Sequence, residues 1–294
     1  EQVFKVGTYK SAVEPFLCTE MSEANREQVN SYLGSIWKNM VKDVAASRNL
    51  KPEAVNALAD SLTLLADPEA SVKGGLVDKL CYISEVKKIL KEKAGIEEDE
   101  SIKFVTTKDV AKAETLQEKI SDEVAVYYAY GDIVDTRSIS FQQEAVICGE
   151  DVIKDLQELR EDDDIKAVVI RVNSGGGSAY ASEQIWHEVE LLKAEKPVVI
   201  SMGGMAASGG YYISCGANAI YAEPTTLTGS IGIFGMVPDA SELLSEKLGL
   251  KHDVVKTNAM SDFGSLMRPF NEAESNLMQA HVNKGYEQIG RAHV

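Results

Sequence analysis

Ser208 stands in GGMAASGGYYIS (residues 203–214), with a glycine pair on each side and the strand-like run VVISM leading into it. Glycine on both sides leaves the backbone bare, which suits a tight turn or the close approach of another chain. A second glycine-rich loop, RVNSGGGS, follows another apolar run, KAVVIRV. Strand-end loops with open N–H groups can hold an oxyanion, and a serine at a helix start meets a dipole that favours developing negative charge. The competing interpretation is that the glycines only let strand and helix pack closely. Two such loops on neighbouring strands shift the balance toward chemistry. SGGGS does not fit GxGxxG, and no acidic residue closes a following strand at the spacing a dinucleotide site needs. GxSxG fails as well, because position 206 is alanine.

A serine nucleophile needs a base. The histidines are His187, His252, His281 and His293. The first falls in a helical pattern, the second before a strand, the third in a late helix and the fourth in the tail, and none lies in a glycine-rich loop. A Ser–His–Asp arrangement is therefore not expected. The other option is a lysine held neutral by burial, since desolvation disfavours the ammonium. Residue types and spacing do not choose among the lysines.

The elements that must position these loops begin at Val124. VAVYYAYG reads as a strand, 151–160 as a helix, KAVVIRV as a buried parallel strand, 181–193 as a helix and PVVISMGG as a second such strand. A short helix near Ser208, the strand AIYAE, the loop TLTGSIGIFG and a helix over 241–248 follow. This alternation predicts an α/β fold with a largely parallel sheet and sites beyond the strands' carboxyl ends. Before it, Val3–Val6 reads as a strand end and GTYKSAVEPF as a loop. Ser22 is placed to cap a long helix carrying Val29, Leu33, Ile36, Met40 and Val44 at helical spacing, and shorter helices are expected near 52–58 and 84–93. The polar stretch 108–122 reads as a linker.

At 294 residues the chain has room for about two domains, with 44% hydrophobic and 26% charged residues. A net charge of −16 argues against a nucleic-acid partner. Cys18, Cys81, Cys148 and Cys215 are scattered, without metal-ligand spacing, and neither metal nor cofactor is expected. No apolar run is long enough to span a bilayer. The chain opens EQVFKVG without Met and is expected to be a fragment, with any membrane segment in the parent protein. The closing 289–294, IGRAHV, is expected to be a non-native tail.

An internal repeat is also legible. VGTYKSAVEPFLCTEMSEANREQV from Val6 lies against VKTNAMSDFGSLMRPFNEAESNLM from Val255, sharing Val–x–Thr, a following Ser and Glu–Ala opening a helix. Lys10 then falls opposite Met260, or Ala259 if the loop shifts by one. The expected organisation is the C-terminal part of a first repeat (1–107), a linker (108–122) and a second repeat (123–288).

RVNSGGGSAYASEQIW, SMGGMAASGGYYIS and TLTGSIGIFG, in this order and spacing and with GTYKSAVEPF before them, resemble the signal peptide peptidase A family of serine–lysine proteases, in its long two-domain bacterial form. The resemblance covers nearly the whole chain and implies a crotonase/Clp-protease-like fold. It implies Ser208 as nucleophile, Lys10 as general base, Ser230 as the residue orienting that lysine, and the N–H groups of Gly209 and Gly176 as oxyanion hole. Gly175 departs from the family's NSPGGS, where proline is usual. The resemblance further implies peptide substrates left from signal peptides, a ring-like homo-oligomer, and a site on the extracytoplasmic side of the inner membrane. Met202, Met205, Ile231, Ile233 and Phe234 flank the motifs as candidates for an apolar pocket or for core. Two other readings are an enoyl-CoA hydratase or isomerase on the same architecture, and an inactive scaffold fragment.

Overall fold

The computed structural model describes residues 2–61, 63, 68–112, 122–137, 145–255 and 260–290. The chain forms two compact units, one of Glu1–Ser35 with Ser121–Val294 and one of Ile36–Ile120. In chain order the first elements are β1 (Gln2–Phe4), α1 (Glu14–Leu17), α2 (Glu23–Arg48), α3 (Pro52–Asp60), α4 (Pro68–Lys73), α5 (Ile83–Ala94) and α6 (Thr107–Lys112). Ser22 caps α2 as expected, its Oγ accepting from the Asn25 N–H at 3.1 Å. GTYKSAVEPF is not all loop: Pro15 pre-sets the first turn of α1, and the Cys18 N–H closes on the Glu14 carbonyl at 2.8 Å. The smaller unit gathers Val41, Ala45 and Val55 into a modest core. There Arg48 donates to the Gly75 carbonyl at 2.7 Å and pairs with Asp78 at 3.0 Å. The expected linker opens with α6, and 113–121 lie outside the described residues.

The larger unit continues with β2 (Glu123–Tyr130), β3 (Asp132–Val134), β4 (Val146–Cys148), α7 (Gly149–Glu161), β5 (Ile165–Ser174), α8 (Ala179–Glu195), β6 (Val198–Ala207), α9 (Gly209–Ser214), β7 (Ala219–Tyr221), β8 (Leu227–Gly229) and β9 (Gly235–Val237). The fold is α/β. Its sheet runs β2-β5-β6-β7, all parallel, and β8 pairs with the end of β6. Val168, Ile170 and Val172 of β5 and Val198, Ile200 and Met202 of β6 face a core shared with Ile185, Val189 and Leu192 of α8 and Leu156 of α7. These apolar runs are buried because α7 and α8 cover one face of the sheet. On β2 the alternate set Val124, Val126, Tyr128 and Tyr130 is exposed, so the edge strand alternates instead of being apolar throughout.

Three features go beyond the expected elements. β3 and β4 form a parallel pair. A one-turn π-helix, Leu243–Lys247, occupies most of the helix expected over 241–248. β1 pairs antiparallel with β9, Phe4 opposite Gly235. The last helix, α10 (Glu272–Gly290), packs Val282 with Phe4 and Phe270 in a second core that also takes Val6, Ile233, Val237 and Met278. Ile289 is buried within α10, so the helix runs into the stretch expected to be a tail, while 291–294 lie outside the described residues.

Candidate active site

Parallel strands deliver both glycine loops to one end of the sheet. Ser174, at the end of β5, pairs in register with Ala206 of β6, so NSGGG and AASGG leave the sheet side by side. The Asn173 Oδ1 accepts from the Met205 N–H at 3.0 Å and ties the two strand ends together.

Ser208 sits between β6 and α9 with φ 53° and ψ −118°. Among the described residues only Asn49, Ser208 and Ser230 combine a side chain with a positive φ, and two of the three are predicted site residues. Such backbone survives where its surroundings over-determine it. Here the Ser208 N–H donates to the Gly229 carbonyl at 2.9 Å, and the Ser208 carbonyl accepts from the Tyr212 N–H at 2.9 Å. Gly229 directly precedes Ser230, so β8 holds both serines.

Gly176 and Gly209 are packed against each other. A methyl group on Gly176, whose φ is 105°, would come 2.7 Å from the Gly209 nitrogen and 2.8 Å from Ser208 Cβ, an impossible approach. The Gly209 N–H lies in the first turn of α9, where a helix supplies no carbonyl of its own. The Gly176 N–H instead donates to Ser174 Oγ at 3.1 Å, so this amide is turned into its own loop. Gly175 is different: its φ is not left-handed, and a methyl there would stand 3.4 Å from Met205 Sδ, an ordinary contact. Neither space nor backbone demands glycine at that position.

Lys10 reaches this region because β1 pairs with β9 and carries the following residues past the turn 230–234. Its ammonium donates to the Ile231 carbonyl. Burial holds its pKa below the usual lysine value. Among the described residues no hydrogen bond joins Lys10 to Ser208 or Ser230. All three nevertheless line one cavity of about 770 Å³, together with Leu227, Ile233 and Phe234. Tyr9 and Glu27 face the same space, the Tyr9 hydroxyl donating to Glu27 Oε2 at 2.9 Å.

The other residues singled out from sequence fall elsewhere. Met202 is core, only 3% exposed. Met205 lines a separate cavity beside Asn173 and Gly175, and Ile231 lines a smaller one next to Lys10. Met260, expected opposite Lys10 in a repeat, is exposed and does not line the main cavity; Ala259 and His293 lie outside the described residues. His187, His252 and His281 do not line it either. Sequence reasoning missed the Ile231 carbonyl, since a backbone acceptor leaves no mark in residue types. It also missed Gly232, although SIGIFG advertises a glycine there; its φ of 112° admits no ordinary side chain. Among the described residues no group of three or more His, Cys, Asp or Glu could hold a metal ion, and no helix is long and apolar enough to cross a membrane.

Residues 121–227, which hold the parallel strands β2, β5, β6 and β7 and both glycine loops, match the Clp protease family model. Residues 1–97 and 190–290 match the model of peptidase family S49, and the chain belongs to that family. It is 37% identical to "Protease 4" of Salmonella typhi over 98% of this chain and 46% of the relative, and 36% identical to "Protease 4" of Haemophilus influenzae over 98% and 47%. It is 31% identical to the chloroplastic "Serine protease SPPA" of Arabidopsis thaliana, over 97% of this chain and 42% of the relative. The chain thus spans somewhat less than half the length of these relatives.

Proposed function

We propose that the chain carries the site of a serine–lysine endopeptidase, with Ser208 as nucleophile, Lys10 as general base and Ser230 as the group that orients the lysine. The observation that carries this reading is that the three side chains line one cavity and that the lysine among them is desolvated. Neutral Lys10 takes the Ser208 Oγ proton as that oxygen attacks a peptide carbonyl, and later gives it to the departing amine. Water, deprotonated by the same lysine, releases the acyl group. The Gly209 N–H is the first oxyanion donor; the Gly176 N–H becomes the second once it turns away from Ser174 Oγ. For the dyad to close, the Lys10 ammonium leaves the Ile231 carbonyl, a tightening usual between free and substrate-bound states.

The apolar side chains of Leu227, Ile233 and Phe234 support an apolar peptide as substrate, such as remnants of cleaved signal peptides. The two matches to one family model, at 1–97 and 190–290, support a reading in which 1–107 is the tail of a first repeat, 108–122 a linker and 123–288 a second repeat, the first supplying the base and the second the nucleophile. A homo-oligomer on the extracytoplasmic side of a membrane belongs to the same proposal.

The test is hydrolysis of an apolar peptide ester and labelling by a fluorophosphonate, comparing the wild type with Ser208→Ala and Lys10→Met. Loss of both signals in Ser208→Ala, and a fall of at least about 10²-fold in Lys10→Met, are expected. Undiminished hydrolysis in Ser208→Ala would exclude the peptidase reading and leave the acyl-CoA and scaffold alternatives.

A further inference from the structure

The face of α10 that meets the turn 230–235 belongs to neither glycine loop, yet it touches the residues around Lys10. A methyl on Gly285 would come 2.4 Å from Ile233 Cδ1, so the helix backbone lies directly on that side chain. One and two turns earlier, Val282 and Met278 approach Gly235 within ordinary contact of such a methyl. Next to Gly285, Tyr286 reaches Gly232. A methyl on Gly232 would meet Tyr286 Cδ2 at 2.8 Å and Lys10 Nζ at 3.0 Å, so ring edge and ammonium converge on the same point. Tyr286, Lys10, Ser230 and Ile231 also line one small cavity of about 250 Å³.

We infer that Tyr286 is a positioning residue for the base: its ring walls the Lys10 ammonium from solvent over the bare Gly232 turn, while the Ile231 carbonyl holds it there. This rests on the proposed role of Lys10. The second core of Phe4, Phe270 and Val282 clamps β1 and α10 onto the same turn, so base and covering ring are held by one cluster. Burial is what depresses the Lys10 proton affinity, and removing the ring lets water reach the ammonium. The titratable groups facing Lys10 from the neighbouring segments are Tyr9, Glu27 and Tyr32, which line the main cavity, and Tyr286 itself. Of these Glu27 is the acidic one, and its carboxyl accepts from the Tyr9 hydroxyl at 2.9 Å.

The experiment measures the rate of Ser208 labelling by a fluorophosphonate across pH for the wild type, Tyr286→Ala and Tyr286→Phe. In Tyr286→Ala the rising limb moves to higher pH, the rate at neutral pH falls by less than the roughly 10²–10⁴-fold of a lost base, and the alkaline plateau is kept. Tyr286→Phe restores the wild-type limb, because the ring and not the hydroxyl is the wall. An unmoved limb in Tyr286→Ala, or an equal shift in Tyr286→Phe, overturns the inference. Should the alanine variant not fold, Tyr286→Leu takes its place. Acetylation of Lys10 by acetic anhydride, followed by mass spectrometry across pH, reads the same midpoint without catalysis. A wild type that is never labelled on Ser208 overturns the peptidase reading and this inference with it. A labelled enzyme with an unmoved limb overturns this inference alone.

Discussion

At the scale of single residues, two of the three glycines of the NSGGG loop, Gly175 and Gly176, make opposite demands. Gly176 has a left-handed backbone and no room for a methyl, so Gly176→Ala should lower stability by roughly 1–3 kcal/mol and suppress ester hydrolysis. Gly175→Ala has space and an ordinary backbone, and should leave the melting temperature unchanged or raise it by an effect of about 0.4–1 kcal/mol. Thermal melts with parallel activity assays on the two variants check both. The sign of the pH dependence also belongs here. Because burial lowers the Lys10 pKa, its neutral form is present at lower pH than for an exposed lysine. Hydrolysis should therefore rise with pH through that lowered value, and a pH–rate profile that rises only at the ordinary lysine value would count against a desolvated base.

At the scale of elements, α10 and β1 decide whether Lys10, the proposed base, is in place. Phe4 lies in the small second core, and Phe4→Ala should cost about 3 kcal/mol there. Hydrogen exchange should then quicken at β1 and β9 while β5 and β6 stay protected, and hydrolysis should fall with the β1–β9 pairing. The start of α10 depends on ionisation. Arg268 donates to both oxygens of Glu274 at 2.6 Å, and Glu274 exchanges backbone–side-chain hydrogen bonds with Asn271 in a capping arrangement. Arg268 foremost holds the Glu274 pKa down to about 2, from an ordinary 4.5. The stabilisation is thus complete above pH 4.5 and is lost as pH falls through about 2. Melting temperature against pH should show this loss in wild type and a much smaller one in Arg268→Met.

How much of this was legible in the sequence also varies by element. β5 and β6 declared themselves because the apolar runs Ala167–Ile170, entered from Lys166, and Val198–Ile200, entered from Pro197, each lead within a few residues to a glycine-rich loop and leave few alternatives. β3 and β4, at three residues each, are too short to carry a period. Ser208 was legible through its glycines. Lys10 was not, because it lies in an unremarkable loop and no local spacing connects it to the serine; only the resemblance pointed to it. Its position follows from the β1–β9 pairing, a tertiary contact that propensity cannot see. Tyr286 sits in an ordinary helical pattern, and its partner at Gly232 is visible only in three dimensions.

At the scale of the whole molecule, a net charge of −16 favours dispersion of the chain, while the main cavity sets the apolar Leu227, Ile233 and Phe234 beside the polar and charged Lys10, Glu27, Ser208 and Ser230. The hydrogen bond from Lys10 to Ile231 spans 221 positions of sequence. The sheet bearing Ser208 is instead assembled from strands closer in sequence, β2 and β5 through β8. Closing a long loop is entropically harder and is rewarded only when the ends already match, so such contacts form late. A chain emerging from the unfolded state should therefore possess the scaffold of Ser208, the proposed nucleophile, before Lys10, the proposed base, arrives. During refolding from urea, far-ultraviolet ellipticity should recover ahead of fluorophosphonate labelling. On the proposed peptidase reading, the order of assembly acts as a safeguard: a chain still folding, surrounded by its own unfolded segments, has no means of cutting them.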